Sequence, residues 1–478
     1  MWKSVFFGVA TMAMGLPGCQ VRPAPVVLPE QRLLGQAYGP AALAGDPQAA
    51  KQDDLAAPSG KISLGEVMAY AMLHSPDLAL YSWEIRIRQA QALQAGLYAN
   101  PDLKVQVGEV GRKGGRGGVA GSEASLVLGQ LIDLTNKPSQ KRAIGLLEAR
   151  LAGWDYEAAR LAVYKQVVQA FVEVLTAQEL WALRAEQVAL AERALKAVAD
   201  RVATGKDAPT EQTKATIALS KTQIEHRRTE HRLAAARKVL AATWGSHLPD
   251  FDAVVGELET LWTVEPCEVL YSQLEQNPAL ARWPTELEKR EESIRLEESR
   301  AIPDPVLFGG IQQFNEQDET ALLFGVGIPL PVWDRNQGNL LAAQHAKSKT
   351  QARQRAAQAK LMAELAVAYK TLVSAYSEAA DLKKTIVPLS EKVFEATGQA
   401  YVGGKVGYLQ VLDSQRTYFA AKARYLEALG AYHKARANVE QLIAAPLAHQ
   451  KKQDHPGPPR TSDKTTDAQS LRPVIESR

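Results

Sequence analysis

The sequence predicts a mainly α fold with β structure, built as a twofold internal repeat in which long coiled-coil-like helices flank β-hairpins. Three observations carry that prediction. The first is a proline-fenced stretch, 302–336 (IPDPVLFGGIQQFNEQDETALLFGVGIPLPVWDRN), whose second half alternates apolar and small residues. The second is the length of the helical patterns on either side of it, longer than an ordinary globular helix. The third is a set of motifs that recur at nearly constant offset: Ser75-Pro76-Asp77-Leu78 returns as Asn277-Pro278-Ala279-Leu280 (278 − 76 = 202), and Pro101-Asp102 returns as Pro303-Asp304 (303 − 101 = 202).

Length and charge set the outer bounds. A chain of 478 residues exceeds one ordinary core, and a formal net charge of +3 gives no indication of a nucleic-acid partner. The two cysteines are Cys19 and Cys267. Cys19 follows Lys3 and a twelve-residue apolar run from Val5 to Leu16, too short to span a bilayer but suited to a signal peptide. The box Leu16-Pro17-Gly18-Cys19 predicts cleavage before Cys19 and lipidation of its thiol; the alternative is an ordinary signal peptide cut nearby. Residues 1–18 are thus a leader, and the Pro/Ala/Gln-rich segment 19–60 reads as a flexible or polyproline-like tether.

The first repeat covers 61–245. Ser63 and Glu66 form a capping-box pattern, so a helix opens there, breaks at Ser75-Pro76 and ends near Asn100-Pro101. Leu103, Val105 and Val107 alternate with Lys104, Gln106 and Gly108 in a strand, followed by a glycine-rich turn and a second strand from Glu123 to Leu134. The turn lacks Gly-Lys-Ser/Thr and precedes no helix, so it is not a phosphate cradle. From Ser139 to Ala203 apolar residues recur at steps of three and four (Ile144, Leu147, Leu151, Trp154, Ala158, Leu161, Val168, Phe171, Leu175). That spacing is a coiled-coil-like seam, and 65 residues of helix would reach roughly 97 Å. Thr204 to Asp207 stops it, and Pro209 opens a returning helix.

After a linker at 246–265, the second repeat occupies 266–445. Its hairpin places Leu322, Phe324 and Val326 on one face and Leu323, Gly325 and Gly327 on the other. Strands of about eleven residues suit a tilted crossing of a bilayer, which makes Leu322, Phe324 and Val326 the expected lipid-facing residues. The second seam runs Leu361, Leu365, Ala368, Leu372, Ala375, Ala379, Leu382, Ile386, Leu389, Val393, with Pro388 inside it as an expected kink. The polar tail 446–478 reads as disordered. Four strands cannot close a membrane barrel, whose lower limit is about eight, so several chains must contribute strands to one barrel.

The order and spacing of the NPDL and IPDP strand entries, the GIPLPVWDRN exit and the helix VGYLQVLDSQRTYFAAKARYLEA resemble the TolC-like outer-membrane factors, particularly the branch serving heavy-metal and drug efflux. The resemblance spans about residues 60–445. It implies a homotrimer with a shared transmembrane β-barrel in outer-membrane lipid and a periplasmic α-helical barrel. It also implies two partners, a periplasmic adaptor (membrane fusion) protein and an inner-membrane pump of the resistance-nodulation-division type. In this family the periplasmic turn carries two aspartates three residues apart, with a tyrosine and an arginine that hold the closed state. Aligned here, the second aspartate is Asp413, the first position is Gln410, the tyrosine is Tyr401 and the arginine position is Val406. The resemblance therefore implies a periplasmic gate at Asp413, Gln410 and Tyr401, with one carboxylate ring.

No catalytic, cofactor-binding or metal-ligating constellation is present in the sequence: there is no HExxH, GxSxG or CxxC, and His226 and His231 fall on different faces of a helix. The expected activity is a passive export duct for small substrates, metal cations or drugs. Two alternatives stand beside it: a lipid-tethered periplasmic coiled-coil scaffold without a pore, and an outer-membrane duct for peptide or protein secretion.

Overall fold

A computed structural model describes residues 25–35, 57–108, 122–314 and 319–447. The predicted leader with Cys19, and most of the tail, lie outside the described residues. Strand β1 (Gly60–Ser63) leads into α1 (Leu64–His74), where Ser63 and Glu66 complete the capping box. Helix α2 (Pro76–Ala95) follows, with Pro76 in its first turn, where the missing N–H is harmless. The strands β2 (Asp102–Gly108) and β3 (Glu123–Leu131) come next. The long helix α3 (Lys137–Ala203) and its return α4 (Pro209–Ala242) complete the first repeat.

Strand β4 (Phe251–Val255), inside the segment read as a linker, pairs in parallel with β1, an element that the sequence pattern did not announce. Gln178 of α3 caps β4 by bonding both the N–H and the C=O of Val254. Short helices α5 (Cys267–Gln273) and α6 (Pro278–Ala281) lead to α7 (Trp283–Arg300), then to β5 (Val306–Phe314) and β6 (Glu319–Gly327). Helix α8 (Gln337–Asp381), a π turn (Leu382–Ile386), α9 (Val387–Val402) and α10 (Tyr408–Ile443) complete the second repeat. Each repeat passes from strand to long helix through a left-handed asparagine, Asn136 and Asn336, both at φ 60°.

The seams are buried where one helix meets another. Leu361, Leu365, Ala368, Leu372, Ala375, Ala379 and Leu382 are all buried, several against α10. Past Leu382 the expected register fails: Ile386, Leu389 and Val393 are exposed, while Ser390 and Tyr401 are buried. Pro388 explains the change. It has no N–H for an α-helical bond and its ring crowds the carbonyl four residues back, so the turn before it widens and Val387 N–H bonds Leu382 C=O. One extra residue in the turn rotates everything after it by about 100°. In α3, Ala158 also departs from the expected seam and is exposed.

The segment 25–35, read from sequence as part of a flexible tether, lies instead on α3. The guanidinium of Arg160, fully buried, donates to the carbonyls of Leu34 (2.8 Å) and Arg32 (2.9 Å) and pairs with Glu157. Glu157 in turn accepts from Arg32 N–H, and Arg32 stacks over Trp154. Glycine at 153 is required there, because a Cβ would stand 2.7 Å from Pro29.

Candidate functional site

The four long strands form one antiparallel sheet in the order β2-β3-β5-β6, so the two hairpins are joined through β3 and β5. Their register settles the faces. Val105, Leu126, Ile311 and Leu322 lie in one row across the sheet, and Leu103, Leu128, Gly309 and Phe324 in the next. All point to the same side, because side chains alternate along each strand. Leu322, Phe324 and Val326 are exposed, at 71%, 77% and 58%. The opposite side carries Lys104, Gln106, Ser125 and Glu123, with Gln312 donating to the Glu123 carboxylate at 3.0 Å. The first face is thus apolar through its middle rows, with Gln130, Gln313 and Thr320 toward its margins, and the other mixes these polar groups with Val127, Phe308, Phe314 and Leu323. Lipid requires this division of a barrel strand, whose far face lines water. Phe308 fills the space over its cross-strand partner Gly325, where any Cβ would collide with the ring. Both β2 and β6 are sheet edges, which hydrocarbon does not tolerate unpaired.

At the other end, two turns of equal geometry close the helix pairs. Gly205 and Gly404 adopt φ +71° and +70°, and the N–H groups of Lys206 and Lys405 bond back to Arg201 and Ala400. Tyr401 is buried beside Val198, Ala215 and Tyr408. Its hydroxyl donates to Asp207 at 2.7 Å, and Arg201 grips the same carboxylate through Nε (2.8 Å) and a terminal nitrogen (3.2 Å) while lying 4.7 Å from the Tyr401 ring centre. The Arg201 and Tyr401 hydrogen bonds hold the Asp207 carboxyl below the usual range. Burial, reinforced by the bond to Asp207, pushes the Tyr401 hydroxyl up to about 12.

The three gate positions expected from the sequence therefore separate. Tyr401 joins the Arg201–Asp207 pair, whereas Gln410 and Asp413 are exposed on α10, where Gln410 caps the helix by accepting from Gly407 N–H at 3.2 Å. Asp413 lines an open groove of about 930 Å³ with Ile386, Leu389, Val393, Leu409 and Thr417. Three of its apolar residues, Ile386, Leu389 and Val393, are those that lie in or beyond the π turn and face outward. Arg201 and Asp207 were missed because the arginine was sought at Val406, in Tyr401's own turn. The usable signal was the repeat itself, which sets the Gly205 turn beside the Gly404 turn and brings charges from one to the tyrosine of the other.

Comparison with known proteins agrees with this geometry. The family model described as outer membrane efflux protein matches residues 68–246 and 269–445. The cobalt-zinc-cadmium resistance protein CzcC of Cupriavidus metallidurans is 32% identical over 385 residues, covering 80% of this chain and 90% of that protein. The nickel-cobalt-cadmium resistance protein NccC of Alcaligenes xylosoxydans is 23% identical over 302 residues, 62% of this chain and 68% of its own. Among solved structures, CusC superposes with a TM-score of 0.68 at 17% identity, covering 88% of this chain and all of that one. The CmeC channel of Campylobacter jejuni gives 0.67 at 16% identity, over 81% of this chain and 87% of its own. The repeat, the amphipathic four-stranded sheet and the family match over both halves lead to one conclusion: the chain belongs to the outer membrane efflux protein family.

Proposed function

We propose that three copies of this chain form the outer-membrane duct of a tripartite exporter for divalent transition-metal cations. The observation that carries the reading is the sheet: one face apolar through its middle rows, one face of mixed polar and apolar residues, and two open edges, which hydrocarbon permits only in a closed barrel of several chains. The helices descending from it form the periplasmic tunnel, which docks on an adaptor protein and, through it, an inner-membrane pump of the resistance-nodulation-division type. The duct is passive and carries no chemistry of its own. Cobalt, zinc and cadmium are the proposed cargo because the 32% identical relative is named for resistance to them.

Within this reading Arg201, Asp207 and Tyr401 form a latch between the two helix pairs of one copy, and three Asp413 side chains form a carboxylate ring that favours cations. Gln410 stands one turn nearer the tip than the ring as a neutral position. Cys19 carries the lipid that anchors the N-terminus to the outer membrane. The test is metal export. Cells lacking the gene should retain loaded ⁶⁵Zn or ¹⁰⁹Cd and regain efflux on complementation; equal retention with and without it would refute the cargo assignment.

A further inference from the structure

Each hairpin is entered past an aspartate, and the repeat shows the two aspartates in different charge environments. Asp102 opens β2, and Asp304 stands 202 positions later, two residues before β5. Asp304 accepts from the Lys137 ammonium at 2.6 Å, and Lys137 also donates to the Ile302 carbonyl at 2.8 Å. With side chains only 10% and 17% exposed, Lys137 and Asp304 tie the entrance of β5 to the start of α3. In repeat 2 the strand-entry carboxylate is therefore neutralised.

Repeat 1 lacks the equivalent lysine. Lys137 follows left-handed Asn136 as Gln337 follows left-handed Asn336, 200 positions on, and the Gln337 amide carries no charge. Asp102 is exposed and has no ion pair among the described residues. What repeat 1 has instead is Lys104, where repeat 2 has Val306 (306 − 104 = 202). Lys104 is exposed too, and it shares its row of the sheet with Val127, Gly310 and Leu323, whose side chains hold no polar atom. Two residues along the same strand, Asp102 lies on the same face at about 6.7 Å. Among the described strand residues of that face Lys104 is the only cation, beside Asp102, Glu123 and Glu319. The opposite face carries no charged residue.

Resting on the duct reading above, which turns the mixed face to the water of the barrel, we infer that Lys104 is the counter-charge of Asp102 and sets the ion preference of the barrel's periplasmic entrance. Charges about 6.7 Å apart lie within one Debye length, about 8 Å at physiological ionic strength, so a passing ion meets their sum. Three copies place three balanced pairs at the entrance, where Asp102 alone would place three bare carboxylates. Glu123 faces Gly108, four residues beyond Lys104, so its carboxylate is about 13 Å farther along the strand and outside the reach of that lysine. Glu319, two strands over in the same row, is equally distant. The cation preference of the barrel thus belongs to its outer margin, and its entrance is neutral. A divalent cation feels a fixed charge twice as strongly as a monovalent one, and a neutral entrance lets it pass without being held.

Reversal potentials of purified protein in planar bilayers test the assignment. In about 0.1 M KCl, Lys104→Gln should raise cation over anion permeability about threefold, and Lys104→Arg should leave it unchanged. Adding Asp102→Asn to Lys104→Gln should restore the unsubstituted ratio. Asp102→Asn alone should lower the ratio by about the same factor, an opposite shift that can be read even where Lys104→Gln fails to assemble. In about 1 M KCl, where the Debye length is about 3 Å, all four should converge on the unsubstituted ratio. An unchanged ratio in conducting Lys104→Gln and Asp102→Asn channels overturns the counter-charge, as does a raised ratio that survives in the double variant. In both cases the duct reading stands, because the channels conduct. Unsubstituted protein that passes no current overturns the duct reading itself.

Discussion

Tyr401→Phe isolates the tip latch, because it removes one hydroxyl and leaves the buried ring in place. The lost bond runs 2.7 Å to the Asp207 carboxylate. Hydrogen bonds to charged groups contribute about 1.5–3 kcal/mol, and a tip facing water reduces that to about 1 kcal/mol. A shift of about 1 kcal/mol is about fivefold in an equilibrium, and three latches releasing together give about 3 kcal/mol, or about 150-fold. Single-channel recordings of purified Tyr401→Phe protein in planar bilayers should therefore show an open fraction raised by between five- and 150-fold. Asp207→Asn should do the same, since it weakens both arms of the latch. The pH dependence follows from the two shifts. Asp207 titrates below the usual carboxylate range, so its contribution is present above about pH 4 and is lost as pH falls through the lowered value. Tyr401 is raised to about 12, so its contribution is complete below about pH 10 and is lost as pH rises towards that value. Channel closure should thus be flat from about pH 5 to 9 and loosen at both extremes. Unchanged opening in both variants, with assembly intact, would refute the latch.

Three further outcomes follow from the proposed duct. Leu322→Arg or Phe324→Arg should cost on the order of 2–4 kcal/mol of barrel stability and reduce the yield of assembled protein, while Leu323→Arg, on the polar side, should assemble normally; this is read from the fraction that resists unfolding in detergent. Asp413→Asn should lower cation over anion permeability in reversal-potential measurements without loss of assembly, because it removes a carboxylate from each copy at the proposed ring. Cys19→Ser should abolish incorporation of labelled palmitate while the body still assembles, since one acylated residue adds little beside a closed barrel.

Much of the fold was legible because the repeat printed it twice. Pro101 and Pro303 mark the strand entrances, the alternation at Leu322–Val326 matches one exposed face of the sheet, and Ser63 with Glu66 marks a helix start. What escaped was determined by partners distant in sequence. Strand β4 exists because β1 and the Gln178 amide lie on either side of it, and nothing in Phe251–Val255 alone announces either. The segment 25–35 looked like a spacer because its composition is proline-rich, yet buried Arg160 satisfies its carbonyls from 126 positions away. Pro388 was recognised as a disruption, but its resolution as a π turn, which reverses the fate of Ile386, Leu389 and Val393, is a choice of backbone geometry that spacing cannot encode. At the site, the family pattern led to Tyr401 and Asp413 together, whereas the structure gives them different neighbours.

The central claim is that chains of this protein join their sheets into one water-filled barrel, and conductance tests it most directly. Purified protein added to a planar bilayer should produce discrete ion currents, and the unit that carries them should have the mass of three chains after amine-reactive cross-linking. A bilayer that stays electrically silent at every protein concentration, with the chain recovered as a monomer, would contradict the account and leave a lipid-tethered helical scaffold in its place.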